Sequence, residues 1–140
     1  MEDPYNLGRF LSAQHEVFPQ VLAELRAGEK RSHWIWFIFP QLKGLGHSPQ
    51  SEFYGIGSLE EAQAYWRHPI LGSRLEECAR LVNRVEGRAI TCILGPPDDL
   101  KFRSSMTLFS CAAPGAQVFK DALEKYFHGE ADPRTLELVR

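Results

Sequence analysis

Long apolar runs are missing from this chain. The longest, Trp34 to Phe39, is far too short to cross a bilayer, and Met1 to Asn6 show no basic cluster leading into an apolar stretch. No membrane span or export signal is expected. An excess of one charge sign is missing as well. Sixteen Lys and Arg face eighteen Asp and Glu, a formal net charge of −2, so no strong nucleic-acid binding or grip on anionic lipid is expected. Cysteine is scarce: Cys78, Cys92 and Cys111 are odd in number, widely spaced and set in apolar segments. They read as reduced core thiols in a cytoplasmic setting rather than a disulfide framework. The five histidines, His15, His33, His47, His68 and His128, lack helical pairing and lack Cys or carboxylate neighbours at ligand spacing. No metal site follows from them. With no Walker loop and no dinucleotide fingerprint, no cofactor is implied.

What is present is a chain of 140 residues, suited to one domain over 1–140 with a core of its own. Its spacing is helical nearly throughout. Asp3 and Pro4 signal a helix start, and Leu7, Phe10, Leu11, Phe18, Val21, Leu22 and Leu25 recur at helical steps up to Gly28. Pro19 would clash with the turn before it, so a break is expected near Gln14 to Phe18. Ser32 is placed to cap a very short helix, His33 to about Phe39, stopped by Pro40. Apolar on every side, that helix must be central and buried. The same run could be a strand with Ala89 to Leu94 as its mate. Lys43 to Gly57, rich in glycine, reads as an irregular connection and a mobile lip, with a helical turn opened by Ser48 and Pro49.

Ser58 and Glu61 form a capping box for a helix ending by His68. Leu71, Leu75, Cys78, Val82 and Val85 alternate steps of four and three, an amphipathic helix ended by Gly87. Asp98 or Asp99 should cap a helix reaching about Ala112. Val118 to Phe127, ended by Gly129, and a last helix from Asp132 and Pro133 complete an all-α, multihelical reading.

Chemistry concentrates in two places. One is the polar rim of the aromatic run Lys30 to Leu42, where His33 and Gln41 need partners once desolvated, while Lys30 and Arg31 read as a solvated approach to the core. The other is the helix from Asp98. At about 100 degrees per residue, Asp98, Lys101, Ser104 and Ser105 share one face and Arg103 lies opposite, with apolar stripes on both flanks. If Arg103 meets water, the strip of Asp98, Lys101, Ser104 and Ser105 lines an internal polar site; if Arg103 is buried, the assignment reverses. Lys101 and Ser105 lack the full signature of serine–lysine enzymes, but a lysine with hydroxyls suits phosphate or a ribose. The candidate ligand-binding set is His33, Gln41, Lys43, Tyr54, Asp98, Lys101, Ser104 and Ser105. Trp34 and Trp36 read as core rather than a stacking platform.

Several blocks together carry a family resemblance: Glu24-Leu25-Arg26-Ala27-Gly28, Lys30-Arg31-Ser32-His33-Trp34, Phe39-Pro40-Gln41-Leu42, Gly44-Leu45-Gly46, His68-Pro69, Asp98-Asp99-Leu100-Lys101 and Ser104-Ser105-Met106-Thr107-Leu108-Phe109. Across nearly the whole chain they resemble the bacterial family called domain of unknown function 1810. The resemblance implies one mainly helical domain with a short buried central helix, and no established activity. That family is in turn similar to the NADAR superfamily, whose members cleave N-glycosidic bonds of ribose-linked bases and ADP-ribose adducts. The later acidic and Trp-Gly motifs of that superfamily have no clear counterpart here. Two functional expectations result: a pocket for a nucleotide-like or ADP-ribose-like small molecule, with N-glycosidic hydrolysis as its extension, and a noncatalytic helical protein-interaction module.

Overall fold

The computed structural model describes residues 2–139. Among the described residues ten helices follow one another: α1 Gly8–His15, α2 Phe18–Ala27, α3 Ile35–Ile38, α4 Pro49–Phe53, α5 Leu59–Arg67, α6 Leu71–Arg84, α7 Ile90–Leu94, α8 Asp98–Ala112, α9 Gln117–Phe127 and α10 Pro133–Leu138. Among the described residues there is no strand, only an isolated parallel bridge between Leu42 and Ile56. The strand alternative for 33–39 and 89–94 is thereby resolved: both segments are short helices. Among the described residues no helix is long and apolar enough to cross a membrane.

The first stripe breaks where Pro19 demands it. α1 stops at His15 and α2 restarts with proline in its first turn, then closes on Gly28 at φ 73°, a left-handed position that glycine reaches without strain. The Asp3 carboxylate accepts from the Leu7 and Gly8 amides, 2.8 Å each, and starts the chain into α1. At the α5–α6 junction glycine is required for another reason. A Cβ on Gly72 would run into the Trp66 carbonyl oxygen, so the two helices can meet there only at glycine.

The core lies between α5, α6, α8 and α9, with α2 on α6 and α3 against α1, α6 and α8. Trp34, Tyr65, Phe10, Phe39, Phe102, Phe109 and Phe119 are its largest fully buried side chains. Edge-to-face pairs such as Phe39–Phe102 (4.8 Å) and Phe10–Tyr65 (5.0 Å) interlock them. The Tyr65 hydroxyl meets the Gln14 amide at 3.2 Å, and burial pushes its pKa up. Gln14, a polar residue in an apolar stripe, also donates to the Phe37 carbonyl at 2.6 Å and accepts from Arg74 at 3.2 Å.

The central helix is shorter than expected, and Ser32 does not cap it. Instead the Ser32 hydroxyl donates to Glu24 at 2.6 Å. Glu24, 3% exposed, gathers five donor groups: the Arg31 and Ser32 amides, the Ser32 hydroxyl, the Trp34 indole and the Gln20 amide. These contacts hold 31–34 as an open loop, so helical geometry begins only at Ile35. Burial alone would raise the Glu24 carboxyl; the Ser32 hydroxyl, the Arg31 amide, Gln20 and Trp34 overcome it and hold the pKa at about 2.

Two further expectations are corrected. Of the cysteines, Cys78 is buried, Cys111 is half-buried and Cys92 is exposed, because α7 turns Thr91 and Cys92 outward while Ile90, Ile93 and Leu94 face the core. The segment 43–57 is also more firmly tied than a mobile lip would be. Arg9 donates to the Phe53 and Gly55 carbonyls at 2.9 and 3.0 Å, to Tyr5 and Asn6, and to Glu61 at 2.8 Å. Across the base of the loop the Lys43 N–H donates to the Ile56 carbonyl at 2.8 Å and the Ile56 N–H to the Gln41 carbonyl at 2.9 Å.

Candidate functional site

α8 positions the site. Eight of its residues are buried, so it is packed on most sides. Both polar strips find work. Arg103 is half-buried, donating to the Glu130 and Ala131 carbonyls at 2.9 and 3.0 Å, which pins the segment leading into α10. Thr107 extends that attachment, accepting from the Asp132 amide at 2.9 Å and donating to the Arg103 carbonyl at 2.8 Å. The Asp132 carboxylate then takes hydrogen bonds on one oxygen from Ser104, at 2.8 Å, and from Thr135. This polar ladder links α10 to α8.

The result is a surface cleft of about 340 Å³ between α8, α10 and the 41–46 segment. Gln41, Lys101, Ser104, Asp132 and Arg134 are its polar lining, with Leu45, Gly46, Pro97 and Leu100 as the apolar remainder. Two cations face one carboxylate, and that carboxylate already receives two hydroxyl donors. The surplus charge is positive. Lys101 extends its ammonium to 5.5 Å from the Trp36 ring centroid, within cation–π range. Beside the cleft, Trp36, Gln41, Ser51, Tyr54 and Gly55 line a small half-open hollow of about 10 Å³. Gln41 is therefore a wall common to both spaces.

Other surface grooves match or exceed the cleft in size, one of about 530 Å³ lying beside Arg9, Phe53 and Tyr54. Another of about 350 Å³ runs between α2 and α6 past Arg26, Glu76, Glu77, Arg80 and Arg84. Acidic and basic groups alternate there, and Arg80 pairs with Glu76 at 3.2 Å. Size does not set the α8 cleft apart; the convergence of cations, amide and hydroxyl makes it the candidate site.

The sequence candidates divide. Gln41, Lys101 and Ser104 meet in the cleft, and Tyr54 lines the small hollow of which Gln41 is also a wall. His33 does not line either space. It is exposed, because the pull of Glu24 on Ser32 and Trp34 leaves His33 on the outside of the loop. Lys43 is exposed and outside both linings. Asp98 neither caps α8 nor offers a free charge: it pairs with Lys30 at 2.7 Å, and Lys30 is a buried staple rather than a solvated approach, its side chain 7% exposed. Ser105 is fully buried with no hydrogen-bond partner for its hydroxyl, so no serine–lysine pair forms with Lys101. Asp132 and Arg134 complete the cleft and were legible only as a helix start. No spacing links them to Lys101, since the link is the hydrogen-bond ladder. Among the described residues no cluster of His, Cys, Asp and Glu could hold a metal ion.

Comparison with known proteins now adds a decisive fact. A family model described as "Protein of unknown function (DUF1810)" matches residues 4–139. The chain belongs to the DUF1810 family. This DUF1810 chain is also similar to a solved structure, the conserved hypothetical protein Rv1873 from Mycobacterium tuberculosis. The two share 58% sequence identity, cover 98% of each other and superpose with a TM-score of 0.97. At that identity the all-α fold of the DUF1810 chain is shown. No curated protein matches it.

Proposed function

We propose that the cleft between α8 and α10 binds a phosphate-bearing small molecule of the nucleotide or ADP-ribose type. The observation that carries this reading is the convergence of Lys101, Arg134, Gln41 and Ser104 on one space of about 340 Å³. Lysine and arginine supply charge for a phosphate, while the Gln41 amide suits a ribose oxygen and the Ser104 hydroxyl, its proton given to Asp132, can accept from a ribose hydroxyl. Leu100, Leu45 and Pro97 offer apolar surface for a base or ring. N-glycosidic hydrolysis extends the reading. It would rest on Asp132, the carboxylate that lines the cleft, and the binding role stands without it.

The alternative, a noncatalytic interaction module, draws on the exposed apolar side chains Phe53, Ile70, Leu100, Leu136 and Leu138. These are distributed over α4, the α5–α6 turn, α8 and α10, whereas the polar groups converge, so the cleft is the better-supported reading.

A thermal-shift screen of nucleotides and ADP-ribose tests it. Ligand at a hundred times its Kd should stabilise the wild type by about 2.7 kcal/mol. Lys101→Ala should lose most of that shift while keeping its ligand-free stability. A screen in which no phosphate compound stabilises the wild type refutes the reading, as does an unchanged shift in Lys101→Ala.

A further inference from the structure

The cleft between α8 and α10 has two chemically different sides. Lys101 and Arg134 form the cationic one, and among the described residues neither takes part in an ion pair. Asp132 lines the same cleft, yet its carboxylate neutralises neither of them. Both charges are unspent, Lys101 facing the Trp36 ring and solvent.

Ser104 and Asp132 form the other side, and both can only accept. The Ser104 hydroxyl has a single proton. It goes to Asp132 Oδ2 at 2.8 Å, with the Leu100 carbonyl beside it at 3.2 Å, so what Ser104 has left is lone pairs. Thr135, itself buried, donates to the same Oδ2. Asp132 Oδ1 receives no hydrogen bond among the described residues. The buried side-chain atoms that lack a partner belong to Trp36, Asn83, Asp99 and Ser105, so Asp132 Oδ1 is not occluded and is the oxygen this carboxylate presents to the cleft. Two open acceptors thus stand side by side, bridged by one proton. Lys101 lies one turn before Ser104, a rise of about 4.5 Å along α8, and Arg134 follows Asp132 by two positions.

We infer that the cleft selects ribose over deoxyribose: the phosphate of a nucleotide sits on Lys101 and Arg134, and its vicinal sugar hydroxyls donate to Asp132 Oδ1 and Ser104 Oγ. The inference rests on the reading of the cleft as a nucleotide-type site and adds what the sugar must carry. A hydroxyl brings the proton that these acceptors lack. A hydrogen in its place brings none, and the bound ligand then covers an acceptor without pairing it. Because the cleft is open, water still serves part of that need, and each missing hydroxyl costs about tenfold rather than the far larger factors of a closed site.

The test is calorimetry on the full chain with AMP, 2′-deoxy-AMP and 2′,3′-dideoxy-AMP, for the wild type and Asp132→Asn. The wild type should bind them in that order, each step about tenfold weaker. Asparagine keeps an oxygen for Ser104 and Thr135 but turns an NH₂ toward the sugar and removes a negative charge near the phosphate. Asp132→Asn should therefore weaken AMP about tenfold and bind dideoxy-AMP at least as tightly as the wild type does. AMP and dideoxy-AMP within twofold of each other on the wild type overturn the selectivity and leave the cleft reading standing. An equal loss of all three nucleotides in Asp132→Asn also overturns it. If that variant does not fold, the wild-type series decides alone. Failure of all three to bind the wild type overturns the cleft reading itself, and the selectivity with it.

Discussion

Replacing Glu24 by glutamine changes one oxygen to an NH₂ in a site built entirely of donors. The carboxylate accepts from the Arg31 amide at 2.8 Å, the Ser32 amide at 3.1 Å, the Ser32 hydroxyl at 2.6 Å, the Trp34 indole at 2.9 Å and the Gln20 amide at 2.9 Å. A carboxamide would turn two hydrogens toward some of them, leaving buried N–H groups opposed and unpaired. The pKa gives a separate measure. A carboxyl held at about 2 against an ordinary 4.5 favours the folded state by about 3 kcal/mol once ionised. The sign follows from the lowered pKa: this stabilisation is complete above pH 4.5 and is lost as pH falls toward 2. Glu24→Gln should therefore cost about 3 kcal/mol at pH 7, or roughly 10 °C in Tm for a chain of this length. Urea titrations at pH 7, 4.5 and 3 would measure both effects. The wild type should lose stability between the last two values, and the gap to the variant should narrow. A variant within about 0.5 kcal/mol of wild type at pH 7, or one whose stability falls in parallel with it below pH 4.5, would refute this account of the loop.

Gly72→Ala should destabilise by about 3 kcal/mol through overpacking against the Trp66 carbonyl, seen as a lowered denaturation midpoint. An equal midpoint would mean that the α5–α6 junction yields freely. Arg9→Ala removes the guanidinium from a pair whose side chains are each 9% exposed and should cost about 3 kcal/mol. Limited proteolysis should then cut within 43–57 before it cuts elsewhere. Thiol titration with a disulfide reagent should label Cys92 first and Cys78 only on unfolding. Burial, with help from Glu77 and against Arg74, pushes the Cys78 thiol up to about 12. Rapid labelling of Cys78 in the native protein would contradict its place in the core.

Helix existence was legible wherever the signal was local. The break before Pro19, the Ser48 cap of α4, the Ser58 cap of α5 and the long α6 stripe all arise within one or two turns of chain. The errors share a cause. Ser32 and Asp98 have the chemistry of helix caps, but a distant partner captured each: Glu24 from α2 and Lys30 from the loop before α3. His33 was displaced by the first of these captures. Of the site, the α8 face was visible from its wheel, which placed Lys101 and Ser104 together. The rest was not. Asp132 and Arg134 come to α8 through side-chain hydrogen bonds that no periodicity encodes.

The Arg9 clamp also governs how the molecule can come apart. Its bonds to Phe53, Gly55 and Glu61 span 44, 46 and 52 positions, so each closes a long loop whose entropy must be met before the bond forms. Two backbone bonds at the base, from Lys43 to Ile56 and from Ile56 to Gln41, hold the 43–57 segment together with that guanidinium, and loss of the guanidinium should lower the free energy of its local opening first. Leu45 and Gly46 belong both to this segment and to the cleft wall. Release of Arg9 would widen the cleft while α5, α6, α8 and α9 stay assembled. Amide hydrogen exchange would register it as a group of protons around Lys43 and Ile56 exchanging together, ahead of the helices that surround them.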